Sequence, residues 1–275
     1  MMMFWKMHGL GNDYVVMDNR DGKIVGEAAT ELALKLCKRR FSIGADGLLL
    51  VSDSSVADVK MRIFNADGSE AEMCGNGIRC LAKYCYERNI TRAVDFRVET
   101  LAGIKRVWLT VENGQVKSVK VDMGLPILER AKIPMLGDGN CVNEDLLVNR
   151  ENHRVTCLSV GNPHCVVFVD NVDSFPVQTI GPKLENHPLF PKRTNVEFVQ
   201  ILNNHEMKVR VWERGCGETL ACGTGACAST VAGKLTRKIS STVVVHLLGG
   251  DLEVEYNNRI FLSGPAEKVF EGTLF

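Results

Sequence analysis

The sequence predicts an α+β protein made of two similar halves, each a set of strands wrapped around a few helices. Three observations carry this. First, the block from Met61 to Gly77 returns as Val209 to Gly225, shifted by 148 residues. The shift matches Arg62 with Arg210, Phe64 with Trp212, Glu70 with Glu218 and Cys74-Gly-x-Gly with Cys222-Gly-x-Gly. Gly11-Asn12 and Gly161-Asn162 pair at a shift of 150, and Thr100–Gly103 and Leu247–Gly250 at 147, so three blocks recur in one order. Second, runs that alternate or are continuously apolar dominate the chain. Third, only four segments carry a helical period, and two of them directly follow the repeated Cys-Gly-x-Gly.

In chain order, strands are expected at Tyr14–Asp18, Leu48–Val51, Val59–Asn65, Lys105–Glu112, Gln115–Met123 and Cys165–Asp170. Others are expected at Val196–Leu202, Lys208–Glu213, Thr242–Leu248, Leu252–Tyr256 and Arg259–Ser263. Hairpin turns are read at Asn113-Gly114, Asn203-Asn204, Gly249-Gly250 and Asn257-Asn258. Ala29, Leu32, Ala33, Leu36 and Cys37 share one face of a helix ending near Arg40. Ile78, Leu81, Ala82 and Cys85 mark a second helix, and Ala228, Val231, Ala232 and Leu235 its counterpart in the other half. A fourth covers about Val177–Glu185 and stops before Pro188.

The 275 residues are 45% hydrophobic and 24% charged, ordinary for a globular protein. Lys+Arg and Asp+Glu both total 33, so no net charge steers the chain to nucleic acid or an anionic membrane. No apolar run is long enough for a transmembrane helix and the start lacks a signal-peptide core, so a cytoplasmic location is expected.

Ten cysteines are many for this length. Most are expected to be small buried hydrophobes of a reducing compartment rather than a disulfide scaffold. Cys74, Cys80 and Cys85 share their spacing with Cys216, Cys222 and Cys227, which suggests a metal. Neither triplet holds a Cys-x-x-Cys knuckle or a histidine at ligand spacing. That register also pairs Cys74 with Cys216, against the longer repeat that pairs it with Cys222. No metal site is therefore expected.

Each Cys-Gly-x-Gly lies where a loop enters a helix. Unpaired N–H groups and the positive end of the helix dipole gather there, favouring a thiolate and a bound carboxylate. One such block is commonly no more than a helix start with a buried cysteine; two in equivalent positions point to chemistry. Inverting a carbon centre needs a base on one face and an acid on the other, and a matched pair of thiols can supply both. The N–H groups would stabilise charge that builds on the carboxylate as the α-proton leaves. Neither block completes the glycine fingerprint of dinucleotide binding.

At these residues the chain resembles the diaminopimelate epimerase family. The resemblance rests on Lys6–Asp13, Asn65–Glu70 running into Met73–Arg79, Gly161–His164, Thr194–Glu197 and Glu213–Gly225, with Gly264–Ala266 and Phe270–Gly272 fitting the tail. It implies interconversion of LL- and meso-diaminopimelate in lysine biosynthesis, without pyridoxal phosphate, other cofactor or metal. It also implies two pseudo-symmetric domains, each a β-barrel-like sheet around a central helix, with the active site in the cleft between them. With the repeat it places one half at residues 1–122 plus 264–275 and the other at 123–263. Carried over by motif, Cys74 and Cys222 would be the acid/base thiols, with His164 and Glu213 orienting or polarising them. Asn12, Asn65, Asn162, Asn195 and Arg214 would hold substrate, with Glu213 beside them and Gly75, Asn76, Gly223 and Thr224 at the helix tips. The expected partner is diaminopimelate, with a homodimer possible and neither nucleic acid nor membrane bound.

The pattern departs at two places. Gly47 stands where some relatives carry glutamine, so no substrate contact is transferred there. Phe270 stands where some carry a tyrosine tied to dimer contacts. Two other readings stay open on the residues alone. A proline or hydroxyproline racemase would share the thiol pair, but usually has histidine where Asn76 stands. A thiol-redox or metal-binding protein would instead bind zinc stoichiometrically or cycle a functional disulfide.

Overall fold

A computed structural model describes residues 2–274, which separate into two compact units, residues 2–122 with 263–274, and Met123–Leu262. The first unit opens with β1 (Met2–Gly9), β2 (Asn12–Asp18), α1 (Glu27–Leu36), β3 (Gly47–Ser52), β4 (Val59–Asn65) and β5 (Glu70–Ala71). It continues through α2 (Gly75–Glu87), β6 (Asp95–Thr100), β7 (Gly103–Glu112) and β8 (Gln115–Gly124). The second contains β9 (Cys141–Val148), β10 (Glu151–Ser159), β11 (Pro163–Phe168), α3 (Val177–Glu185), β12 (Asn195–Asn203), β13 (Glu206–Glu213) and β14 (Gly217–Thr219). After it come α4 (Gly223–Leu235), β15 (Thr242–Leu247), β16 (Gly250–Asn257) and β17 (Arg259–Gly264). The last strand, β18 (Glu267–Leu274), returns to the first unit and pairs antiparallel with β1.

The two units repeat one pairing scheme. In the first, β2 runs parallel to β3, β3 antiparallel to β4, β4 antiparallel to β5 and parallel to β6, and β6 antiparallel to β7. The same relations join β11, β12, β13, β14, β15 and β16 in that order. The ion pairs repeat too. Arg62 Nε meets Glu70 Oε1 at 2.7 Å, and Arg210 Nε meets Glu218 Oε1 at 2.6 Å.

Helices α2 and α4, 13 residues each, form the centre of their units, with 10 residues buried in each. A helix buried on nearly all sides must be apolar or internally satisfied all round. In α2, Ile78, Cys80, Leu81, Ala82 and Cys85 fill the core and contact β1, β2, β3, β4 and β7. In α4, Ala226, Cys227, Ala228, Val231 and Ala232 do so, while Ser229 and Thr230 donate their hydroxyls to the carbonyls of Gly225 and Ala226 at 2.8 and 3.0 Å. The buried Arg79 donates to the carbonyls of Gly75 and Pro265 and to Asn76 Oδ1 at 2.9, 3.1 and 2.9 Å.

Helix α1 stops at Leu36, not near Arg40. The Gly44 and Ala45 N–H groups bond back to the Leu36 and Cys37 carbonyls, and Arg40 takes φ 69°, closing the helix end into a loop. Arg39 then reaches Asp13 and Asp46 at 2.6 and 2.9 Å, which holds that loop against β2. Among the described residues no helix is long and apolar enough to cross a membrane, and no group of three or more His, Cys, Asp or Glu side chains could hold a metal ion.

Helix α3 packs against β13, where Trp212 donates its indole N–H to Glu185 Oε2 at 2.7 Å. A Cβ on Gly181 would lie 2.6 Å from Trp212 Cγ. Overpacking of this kind costs about 1–3 kcal/mol. We expect urea unfolding of Gly181→Ala to show a loss in that range; an unchanged midpoint would contradict the packing described.

Candidate active site

Cys74 is the residue immediately before α2, in extended conformation at φ −139° and ψ 126°. Its Sγ lies 3.0 Å from the Tyr14 hydroxyl and 3.7 Å from Asn12 Oδ1. Asn12 opens β2 and Asn76 sits in the first turn of α2, so strand and helix start converge. Asn12 Oδ1 accepts from the Tyr14 hydroxyl at 2.6 Å and from Asn76 Nδ2 at 3.3 Å, while Asn12 Nδ2 donates to Asp46 Oδ2 at 2.9 Å. Arg79 fixes Asn76 from below. Burial, and after it the Cys74 sulfur, push the Tyr14 phenol well above its ordinary range, so it stays a neutral hydroxyl.

Cys222 stands in the same position before α4, at φ −126° and ψ 111°. Here the sulfur itself caps the helix, accepting from the Gly225 N–H at 3.3 Å, with the Thr224 hydroxyl at 3.4 Å. Burial pushes this thiol well above its ordinary value, and the Glu213 and Glu197 carboxylates add to the rise against Thr224 and Gly225. Glu213 ends β13 and accepts from the Thr219 hydroxyl at 2.6 Å. Burial also raises Glu213, opposed by the bond from Thr219 and the nearby His164.

His164, in β11, is fully buried. Its Nδ1 lies 2.7 Å from Glu197 Oε1 and its Nε2 2.9 Å from Asn162 Oδ1, which fixes the ring plane. Glu197 is also fully buried, and its Oε2 has no hydrogen-bond partner among the described residues. A Cβ on Gly225 would meet Glu197 Oε1 at 2.8 Å, so glycine there lets the helix start approach the carboxylate.

The sequence-based candidates therefore fall into groups. Asn12, Cys74, Gly75 and Asn76 meet at one helix start, and Cys222, Gly223, Thr224 and Glu213 at the other, with His164 tied to Asn162. Asn195, at the start of β12, donates to the Pro163 carbonyl at 3.1 Å and accepts from the Arg214 N–H at 2.8 Å. The Arg214 guanidinium is exposed and donates to the Lys192 carbonyl at 3.1 Å. Asn65 is exposed at the end of β4, its amide donating to Ser69 Oγ at 3.0 Å. Gly47 has no room for a side chain, because a Cβ would lie 2.7 Å from the Phe64 carbonyl oxygen and 3.2 Å from the Tyr14 ring. Phe270 lies on β18, its ring edge-on to Phe4 at 6.0 Å.

Tyr14 and Glu197 are absent from the sequence-based candidates. A signal exists for each. The shift of 150 that aligns Asn12 with Asn162 also aligns Tyr14 with His164. Glu197 is an acid inside an otherwise apolar run from Val196 to Val199.

A family profile described as diaminopimelate epimerase matches residues 4–129 and 156–269. A diaminopimelate epimerase of Moorella thermoacetica is 55% identical over 275 residues, 98% of each chain, and one from Methanococcus maripaludis is 50% identical over 277 residues, 99% of each chain. The chain belongs to the diaminopimelate epimerase family. It is thus an isomerase. Two solved structures share its fold at much lower identity. A probable proline racemase from Agrobacterium radiobacter has a TM-score of 0.75 at 14% identity, covering 100% of this chain and 93% of that one. A PhzF-family protein from Bacillus anthracis has a TM-score of 0.73 at 17% identity, covering 100% and 99%. The α+β fold expected from the sequence is the one these relatives share.

The electrostatics around Cys222 give a test that needs no substrate. Iodoacetamide labelling resolved by peptide is expected to show the Cys222 rate inflecting at higher pH than an ordinary thiol. In Glu213→Gln a negative charge is lost, so the inflection moves to lower pH. An inflection left in place by that change would remove Glu213 as a cause.

Proposed function

We propose that the chain interconverts LL- and meso-diaminopimelate by moving the α-proton between two thiols, with no cofactor, in lysine biosynthesis. One observation carries the reading: a chain of this family has two units of one pairing scheme, each placing a cysteine immediately before its buried central helix. One thiolate removes the proton and the other thiol delivers one to the opposite face. The bonds balance: the base gains the S–H that the acid loses, and only the configuration at carbon changes. The functional halves are residues 1–122 plus 264–275, with Cys74, and 123–263, with Cys222.

The roles divide by chemistry. Burial and two carboxylates hold the proton on Cys222, which makes it the acid in one direction of the reaction; in the other direction the two thiols exchange roles. His164 and Glu213 set the surroundings of Cys222, His164 being held by Glu197. Backbone N–H groups at Gly75, Asn76, Gly223 and Thr224 take up charge on the carboxylate as the proton leaves. Asn12, Asn65, Asn162, Asn195 and Arg214 bind the amino and carboxylate groups, with the exposed guanidinium suited to a bidentate carboxylate. A cytoplasmic location and a homodimer complete the reading.

In D2O with reduced, metal-chelated protein, LL-diaminopimelate is expected to gain deuterium at the α-carbon with inversion. Cys74→Ala and Cys222→Ala should each lose epimerisation by at least about a thousandfold, the scale set by removing an essential proton-transfer group. Exchange on L-proline alone would overturn the substrate and keep the chemistry. No exchange on either would overturn the epimerase reading.

A further inference from the structure

Tyr14 occupies in the first unit the place that His164 occupies in the second. Tyr14 pairs across the parallel ladder with Gly47, and His164 with Asn195. Each lies two residues after an asparagine whose side-chain oxygen it contacts, Asn12 at 2.6 Å and Asn162 at 2.9 Å. The residue behind each differs. A Cβ on Gly77 would meet Leu49 Cδ2 at 3.3 Å, whereas on Gly225 it would meet Glu197 Oε1 at 2.8 Å. His164 is therefore backed by Glu197, and the residue beside the equivalent glycine of the first unit is the aliphatic Leu49. The Tyr14 ring also fills the space beside Gly47, which brings its hydroxyl to 3.0 Å from Cys74 Sγ.

We propose that Tyr14 is a positioning residue for Cys74 whose hydroxyl reverses its hydrogen bond during each turnover, accepting from the thiol and donating to the thiolate. This rests on the reading of Cys74 as one of the two acid/base thiols. A phenol has one proton and lone pairs to spare, so it can do both. With Cys74 protonated, S–H donates to the Tyr14 oxygen and the Tyr14 proton points to Asn12 Oδ1. With Cys74 ionised, the Tyr14 O–H turns to sulfur, and Asn12 Oδ1 retains the bond from Asn76 Nδ2 at 3.3 Å. No proton leaves the tyrosine, and Asn12 is satisfied in both states. A half-buried thiolate with no donor would be costly; the hydroxyl supplies one without placing a fixed charge beside the base.

The other ionisable groups at this spot are Cys80 and Asp46, which act on Tyr14, and Arg79, bonded to Asn76. All three remain when only the hydroxyl is removed, so Tyr14→Phe isolates its effect. Peptide-resolved iodoacetamide labelling of the full chain against pH reads the Cys74 thiolate directly, beside epimerisation kinetics. Losing a hydrogen bond to a charged group is expected to raise the Cys74 inflection by about one pH unit and lower kcat about tenfold, with KM moving less than about threefold. The acidic limb of the kcat/KM profile should move with it, and Cys222 labelling should stay as in the parent. Placing 3-fluorotyrosine at position 14, a stronger donor of nearly the same size, should shift the Cys74 inflection the opposite way. A Cys74 profile unchanged in both proteins overturns the proposal, whatever the rate does. Epimerisation retained in Cys74→Ala overturns the underlying reading instead, and needs no Tyr14 variant to be seen.

Discussion

Each cysteine proposed to react depends for its surroundings on the burial of a single helix. Because α2 and α4 are buried along most of their length, first turns included, the surrounding strands hold their side chains in place. The four unpaired N–H groups of a helix start are then offered in one direction, next to the cysteine that precedes them. Close approach by the surrounding strands is what makes this work, and glycine permits it. At Gly225 any side chain would strike the carboxylate of Glu197, and at Gly77 it would press on Leu49. The same strands supply the functional side chains, with β2 bringing Asn12 and Tyr14, and β11 and β12 bringing His164 and Glu197.

The duplication preserves scaffold and diversifies lining. Pairing order, helix length and the Arg–Glu ion pairs recur, while the groups touching sulfur do not. Cys222 faces carboxylates and caps its own helix; Cys74 faces a phenol and the Asn12 amide. A symmetric scaffold with unlike linings suits a reaction that needs like groups in unlike protonation states, because the difference is then set by neighbours rather than by the thiols.

Much of this was legible in the sequence. The repeat located both helix starts, and alternation located most strands of the central scheme. Strand β1 escaped because Met2–Gly9 is bulky on both faces and carries the buried Lys6, whose ammonium meets Asp13 at 2.5 Å. Strands β9 and β10 are rich in polar residues, and β18 has few buried positions, so periodicity was weak in all three. Asn12, Asn76 and Thr224 could be named from motifs, but their partners could not. A carboxylate such as Glu197, buried against a histidine 33 residues away in sequence, shows only once the ladder sets β11 beside β12. Tyr14 read as one more strand aromatic, since nothing local marks where a hydroxyl points.

The closing strand has a consequence for biosynthesis. The segment 263–274 completes the first unit, with β18 pairing with β1 and Pro265 supplying its carbonyl to the buried Arg79. On the ribosome, that segment emerges only after the whole second unit, which is continuous in sequence and can fold as it appears. Until then the nascent first unit has an open edge along β1 and a cation short of one acceptor. Its assembly thus waits for the second unit to be made, and it closes a loop of more than 200 residues at an entropic cost that grows only slowly with length. Premature termination anywhere in the second unit would leave the shell around Cys74 without β18 and without the Pro265 carbonyl.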